Sequence, residues 1–290
     1  MASEIDPISI WYISQENILL QFHIHKCPHK HTYIYTLDID YTYTIRLRIG
    51  NDIVDTYVNK YPSFQNEIIV STEVKDEDDY INTWIDFHLQ IGITRFIIYD
   101  NSEKDTVSDT LREYIEKGIV VLIKWDYPYV LPKSGRSGQT TQQNHSIYAF
   151  RKSKYIGLFD IDEYINIQNK TKNNIHSFLE EVVTEEKLNT NDIGSFRLLN
   201  KFFYNPNNLP SEDGKFLNIF NCDSICKKGH EKNFVIPKNV NTFSVHMITD
   251  GKPMKNLDCQ KIYFNHYYFL NKGERGRNKT DLVDSSILST

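Results

Sequence analysis

Apolar and polar positions alternate through the first part of the chain in the rhythm of strands. From Tyr33 the odd positions run Tyr33, Tyr35, Leu37, Ile39, Tyr41, Tyr43, Ile45, Leu47 and Ile49, and the even ones are mostly Thr, Asp and Arg. A period of two gives one buried and one solvated face. The run is too long for one typical strand, so a turn is expected at residues 38–40, and Gly50-Asn51-Asp52 marks another. Residues 1–65 therefore read as a β-rich N-terminal region.

From residue 66 the pattern changes to alternating strand and helix. Strands are expected at 67–72, 94–99, 119–125 and 155–159. The first helix opens on Asp76-Glu77-Asp78-Asp79, acids placed where the helix dipole favours them. Its apolar stripe is Ile81, Trp84, Ile85, His88 and Leu89, and Gly92 ends it. A second helix spans 105–117, and a third spans 139–152 after a Pro/Gly/Ser-rich loop. Four strands linked by three helices imply a mainly parallel sheet covered on both faces. Beyond Tyr164 a helix is expected at 175–188, then short strands at 195–203, 216–220, 233–236 and 261–269. The boundaries expected are a β-rich region at 1–65, a catalytic domain at 66–272 and a basic tail at 273–290.

Composition narrows the function. The chain has 290 residues, 40% hydrophobic and 24% charged, which is ordinary globular usage. A net charge of −5 argues against a fold that grips nucleic acid through counterion release. No apolar run is long enough to span a bilayer, and Met1 to Pro7 lacks a basic leader, so a soluble chain is expected. Abundant Ile, Tyr and Phe with only two alanines, Ala2 and Ala149, fits an AT-rich genome. Four cysteines do not make a disulfide scaffold, and reduced thiols are expected. A zinc site at Cys222, Cys226 and His230 is the weaker alternative. His23, His25, Cys27, His29 and His31 would share one strand face, but Pro28 interrupts them and a solvated polar face accounts for them.

In parallel sheets ligands sit beyond the carboxyl ends of the strands. Those ends here carry Thr72-Glu73, then Asp100-Asn101-Ser102, then Asp160-Ile161-Asp162-Glu163. Two carboxylates two residues apart repel unless a cation lies between them. Hard oxygen ligands with open positions suit Mg²⁺ or Mn²⁺ shared with a diphosphate.

The run Y-I-G-L-F-D-I-D-E-Y-I at 155–165 resembles the D-x-D segment of the family 92 (DUF23-type) glycosyltransferases of the GT-A fold. The helix at 79–92 with Trp84, His88 and Gly92, the run F-I-I-Y-D-N-S-E-K-D at 96–105 and the Gln/Asn-containing helix at 142–151 agree in order. So do Val235-Ile236-Pro237, Val245-His246 and Asn265-His266-Tyr267-Tyr268. Thr83 and Phe87 depart from the family's Glu-Trp and His-His. The resemblance covers residues 68–280 and implies a GT-A (Rossmann-like) α/β domain. It implies an inverting transfer of a sugar from a nucleotide-sugar, a UDP-sugar foremost, to a hydroxyl of a glycan or glycoprotein acceptor. On these positions Thr72, Glu73, Asp100 and Asp160 would bind the donor nucleotide, with Lys272 and Arg275 closing over its diphosphate. Asp160 and Asp162, with His266 or His246 completing the shell, would hold Mn²⁺ or Mg²⁺. Glu212, Asp213 or Glu163 would serve as the base.

Two other readings stand beside this one. Hydrophobic-strand-D-I-D also opens phosphatases of the haloacid-dehalogenase type, where the first Asp is a nucleophile. Their motif lies on the first strand, whereas three βα units precede Asp160 here. The third reading is an inactive nucleotide- or carbohydrate-binding module, against which the intact acids speak. Animal members of the resembled family carry a membrane anchor, and none is expected here because no apolar run is long enough to span a bilayer. A cytoplasmic placement is expected, or association with a virion for a viral source.

Overall fold

The structure is a computed structural model. It describes residues 61–76, 78–104, 106–125, 129, 138–169, 173–204 and 221–267, together with the backbone of strands within 9–60 and at 282–283.

The N-terminal region holds β1 (Ser9–Tyr12), β2 (Asn17–His23), β3 (Thr32–Asp38), β4 (Thr44–Ile49), β5 (Asp52–Tyr57) and β6 (Asn59–Lys60). The sheet order is β3-β2-β1-β6, and β4 and β5 form a separate hairpin with Ile49 opposite Asp52. β3 ends at Asp38 and β4 at Ile49, and the turns expected at 38–40 and 50–52 fall largely outside the described residues. The histidine-rich stretch from residue 24 to 31 lies outside the described residues.

Nine of the remaining strands build one mixed sheet. Its parallel half is β7 (Ile68–Val74), β8 (Arg95–Asp100), β9 (Val120–Lys124) and β10 (Tyr155–Leu158), in the order β10-β7-β8-β9. These strands are parallel because helices connect them: α1 (Asp78–Gln90) and then α2 (Thr106–Thr110) with α3 (Arg112–Glu116). α4 (Gln139–Ala149) leads into β10. The expected helix at 105–117 is bent in two at Leu111. Hydrogen bonds from Leu111 N to Val107 O and from Ile115 N to Leu111 O, both 3.0 Å, bridge the bend. Leu111 and Val107 thereby both stay fully buried.

Alternate residues of the parallel strands enter two different cores. Val70, Phe96 and Ile98 pack with Trp84 and Ile85 of α1, while Ile69, Ile97 and Tyr99 pack with Ile147 and Ala149 of α4. A sheet buried on both faces explains the near-continuous apolar runs at 68–70 and 96–99. Gly92 ends α1 at φ +93°, and a side chain there would strike the Asn174 amide.

The second half of the sheet holds β11 (Glu163–Ile167), β12 (Ser195–Phe202), β14 (Lys227–Val235), β17 (Met254–Asn256) and β18 (Ile262–His266). Ahead of β12 lies α5 (Ile175–Glu185), capped by Asn174 Oδ1. β14 lies antiparallel to β10, which places the second half alongside the first. β15 (Val240–Ser244) and β16 (Met247–Gly251) form a hairpin over α4, and β13 (Asn221–Cys222) pairs with β19 (Leu282–Val283). The strand expected at 233–236 thus begins six residues earlier, at Lys227. β11 was not anticipated, and residues 216–220 lie outside the described set. The expectation of reduced thiols is corrected in part: Cys226 and Cys259 form a disulfide, while Cys222 is buried outside it. This also takes the Cys226 thiolate from the alternative zinc site.

Candidate active site

The carboxyl ends of β7, β8 and β10 deliver their acids to one edge of the sheet. β10 pairs with β7 from Tyr155↔Ile68 to Leu158↔Ser71, so Asp160 leaves the sheet beside Thr72 and Glu73. A tight turn follows, with the Glu163 amide bonded to the Asp160 carbonyl at 3.1 Å, and the chain re-enters as β11. β11 runs antiparallel to β18 with Glu163 directly opposite His266. Directly opposed residues share a sheet face at contact distance. The register therefore brings together two residues that lie 103 apart in the sequence (266 less 163). Tyr267 N donates to the Asp162 carbonyl at 2.8 Å and fixes the crossing.

The result is a compact group. One ligand atom each of Asp162, Glu163 and His266 lies within 4.8 Å of the others, and all three residues are buried. His266 Nε2 is 3.4 Å from Asp162 Oδ2, and His266 Nδ1 is 3.7 Å from Glu163 Oε1. Burial alone would lower the His266 imidazole, but the Asp162 and Glu163 carboxylates hold it above its ordinary value. Phe202 stacks on its ring at 5.0 Å.

Asp160 is about a third exposed and is held from two sides. Gln139 Nε2, at the start of α4, donates to Oδ1 at 2.6 Å, and Lys232 Nζ donates to Oδ2 at 2.7 Å. Lys232 also lies 3.2 Å from Glu163 Oε2, and its side chain is 2% exposed. Burial opposes its charge, but Asp160 and Glu163 raise it above the ordinary lysine value. Glu163 is pushed up to about 8, by burial first and by Asp160 and Asp162 as well, with Lys232 and His266 pulling the other way. Glu73 is likewise pushed up to about 8 by burial and by the charge of Asp160, and neither carboxyl oxygen has a hydrogen-bond partner among the described residues. The hydroxyl of buried Thr72 likewise has no hydrogen-bond partner among the described residues.

α4 supplies the polar wall. All eleven of its residues are buried although seven of the first eight are uncharged polar side chains, and each needs a partner to be tolerated there. Gln142 donates to Ser71 Oγ at 2.8 Å, and Asn144 both donates to the Phe243 carbonyl and accepts from its amide. The helix is thus pinned to β7 and to the β15–β16 hairpin, with Gln139 beside Asp160.

The expected site residues fall into three groups. Glu73, Asp160, Asp162, Glu163 and His266 converge. Asp100 is buried at the end of β8, and its carboxylate is occupied by the Ser102 amide at 3.0 Å and faced by Lys124 at 3.4 Å, an Asx turn with an ion pair. His246 stands outside the ligand group, its Nδ1 bonded to the Glu231 carbonyl at 2.8 Å and its imidazole lowered first by burial and then by Lys232. Asp160 also stands outside that group, and Glu163 enters it instead. Glu212, Asp213, Lys272 and Arg275 lie outside the described residues. Sequence reading missed Lys232 and Gln139. Lys232 sits in the charged run K-K-G-H-E-K, which reads as solvent-exposed. Only its place two residues before the apolar Phe234-Val235-Ile236 hinted at a strand reaching inward.

These features define a mixed α/β protein with a polar, acid-rich site at the carboxyl edge of its parallel strands. The chain matches the family model of Glycosyltransferase family 92 over residues 69–287, and it belongs to that family. It is similar to a family 92 protein of Ricinus communis, 20% identical over 210 residues, covering 70% of this chain and 36% of the relative. A family 92 protein of Oryza sativa subsp. japonica is 26% identical over 102 residues, 35% of this chain and 16% of the relative. The chain thus spans about a third or less of the length of these curated relatives. Among solved structures, S. aureus TarS 1–349 superposes with a TM-score of 0.40 at 11% identity, covering 69% of this chain and 60% of that one. TarS 1–349 in complex with UDP gives 0.34 at 14%, covering 50% and 38%. No helix of the described residues is long and apolar enough to cross a membrane.

Proposed function

We propose that the chain is a GT-A-type glycosyltransferase that moves a sugar from a nucleotide-sugar, a UDP-sugar foremost, onto a hydroxyl of a glycan or glycoprotein with inversion. The observation that carries this reading is the convergence of Asp162, Glu163 and His266 at the carboxyl edge of the sheet, in a chain of family 92. Two carboxylates and an imidazole fit a divalent cation such as Mn²⁺ or Mg²⁺. Glu163 Oε1 supports the fit, since it is buried and accepts no hydrogen bond from the described residues. Such a cation would offset the charge gained by the departing nucleoside diphosphate. The chain's own residues bind and orient. Asp160, held by Gln139 and Lys232, offers a fixed carboxylate to the donor ribose. Glu73, neutral near pH 7, donates a proton in a hydrogen bond to the nucleotide. Asp100 lies further along the same edge for the base. Glu163 is tied down by Lys232 and the Asp160 amide, which supports reading it in the cation group, with Glu212 or Asp213 as the base. Lys272 and Arg275 close over the diphosphate, and the protein works in the cytoplasm or on a virion. Nothing in the geometry favours the phosphatase reading.

Thermal melting with UDP, GDP, dTDP and CMP, each with and without Mn²⁺, tests the reading. Binding to the folded state alone stabilises by about 2.7 kcal/mol at a hundred times the dissociation constant. A shift specific to one nucleotide, enhanced by Mn²⁺ and lost in Asp162→Ala, is expected. No shift with any of the four would refute it.

A further inference from the structure

We propose that Lys232 is a positioning residue that divides the acidic cluster in two: it commits Asp160 to the protein and turns Glu163 so that its other oxygen joins Asp162 and His266 around a divalent cation. The inference rests on the cation reading above and adds to it the residue that makes the group competent.

The geometry separates the two oxygens of Glu163. Oε2 accepts from the Asp160 amide at 3.0 Å and faces Lys232 Nζ at 3.2 Å. Oε1 faces His266 Nδ1 at 3.7 Å. Both oxygens of Asp160 are engaged by side chains, Oδ1 by Gln139 and Oδ2 by Lys232. A cation would have to displace a charge-assisted hydrogen bond to reach Asp160, whereas Oε1 of Glu163 is already free of such a bond. The first acid of the D-x-D therefore serves the protein frame, and the acid after the motif takes its place as a ligand.

Lys232 is placed for this task by strand pairing rather than by a loop. β14 pairs with β10 through Leu158↔Asn233 and with β12 through Leu198↔Lys232. Its ammonium is thus carried on the sheet, and sites built on sheet elements are held more closely than sites on loops. An ammonium beside a cation site could also repel the cation. Here the Asp160 carboxylate is nearer to Nζ than Glu163 is, 2.7 against 3.2 Å, and neutralises it first. Orientation of Glu163 is the effect that remains.

The experiment is Mn²⁺ binding to the full nucleotide-free chain, read from the free Mn²⁺ electron paramagnetic resonance signal. The variants are Lys232→Met, Lys232→Arg, Asp160→Asn and Glu163→Gln, with melting in EDTA reporting folding separately. Partners that orient a ligand are worth about 10–100-fold in metal affinity. Lys232→Met is expected to weaken Mn²⁺ binding by at least about tenfold. Lys232→Arg should recover most of the loss, and Asp160→Asn should stay nearer to wild type than Glu163→Gln. Unchanged or tighter binding by Lys232→Met overturns the proposal, as does an Asp160→Asn loss equal to that of Glu163→Gln. Should Lys232→Met fail to fold, the Asp160→Asn and Glu163→Gln comparison still decides. Wild-type protein that binds no Mn²⁺ overturns the cation reading itself, an outcome distinct from a Lys232 variant that binds normally.

Discussion

The indole Nε1 of Trp84 donates to the backbone carbonyl of Glu163 across 2.9 Å, joining the centre of α1 to the turn that carries the candidate ligands. Trp84 is fully buried, and its own carbonyl accepts from His88 Nδ1 at 2.7 Å. The His88 imidazole is lowered to about 4 by burial, so it stays neutral at physiological pH and its Nδ1 carries the proton for that bond. A core aromatic thus fixes the site's backbone through a main-chain carbonyl rather than through a candidate ligand atom. Its role as core rather than as a platform for sugar follows from its burial.

Trp84→Phe tests this link. The substitution keeps an aromatic ring but leaves the Glu163 carbonyl without its indole donor. A buried acceptor left unpaired costs about 1–3 kcal/mol, and the lost volume adds to it. A drop of about 2–4 kcal/mol in urea unfolding is expected, with Mn²⁺ affinity reduced as well. A variant with wild-type stability would show that the bond contributes nothing.

Much of the parallel half was legible because its elements obey local rules. The apolar runs at 68–70 and 96–99 read as strands buried on both faces, and the Trp84 stripe and Gly92 bounded α1 within a residue or two. The acids at the strand ends followed from the layout, since a parallel sheet has only one edge where its carboxyl termini gather. The second, mixed half was less legible. β11 follows Asp162 immediately, with no room for the turn signals that announce strands, and β14 begins in a charged run. Glu163 and His266 meet only through the β11–β18 register, a long-range relation that no local pattern contains. For the same reason Lys232 was passed over and His246 was placed among the ligands. The Cys226–Cys259 pairing was equally invisible, because cysteine spacing alone does not fix connectivity.

Gly157 sits in the middle of β10, three residues before Asp160, and its two sheet neighbours are Val70 and Phe234. A β-carbon there would lie 2.9 Å from Phe234, 3.0 Å from Val70 and 3.1 Å from Phe159. All three neighbours are buried. Gly157→Ala is expected to destabilise by about 1–3 kcal/mol through overpacking. Equilibrium urea denaturation measures it, and an equal or higher midpoint would show that the site has slack.

The Cys226–Cys259 disulfide ties the start of β14 to the stretch ahead of β18 and closes a loop of 33 residues. Constraining the unfolded chain over a loop of that length stabilises by about 3–4 kcal/mol in the chain-entropy account. Dithiothreitol or Cys259→Ser should lower the melting temperature accordingly, and intact-mass measurement with alkylation should count two protected thiols before reduction. Three alkylated thiols or more without reductant would refute the pairing.

Glu73 gives the stability of the fold a pH dependence of defined sign. Its carboxyl is pushed from 4.5 to about 8 by burial and by Asp160, so the folded protein keeps a proton that the unfolded chain releases. The contribution is fully present below 4.5, declines as pH rises, and is gone once pH passes about 8. Glu163 is pushed the same way and adds to the same slope. Wild-type protein should therefore melt at progressively lower temperature as pH rises from 4.5 to about 8. In Glu73→Gln the side chain cannot ionise, and the decline should be shallower, with the part due to Glu163 remaining. Comparing the slopes, rather than melting temperatures at one pH, removes the constant cost of burying an unpaired amide. Parallel slopes for the two proteins would mean that Glu73 is already ionised in the folded state, with a partner or water beside it that keeps its charge solvated.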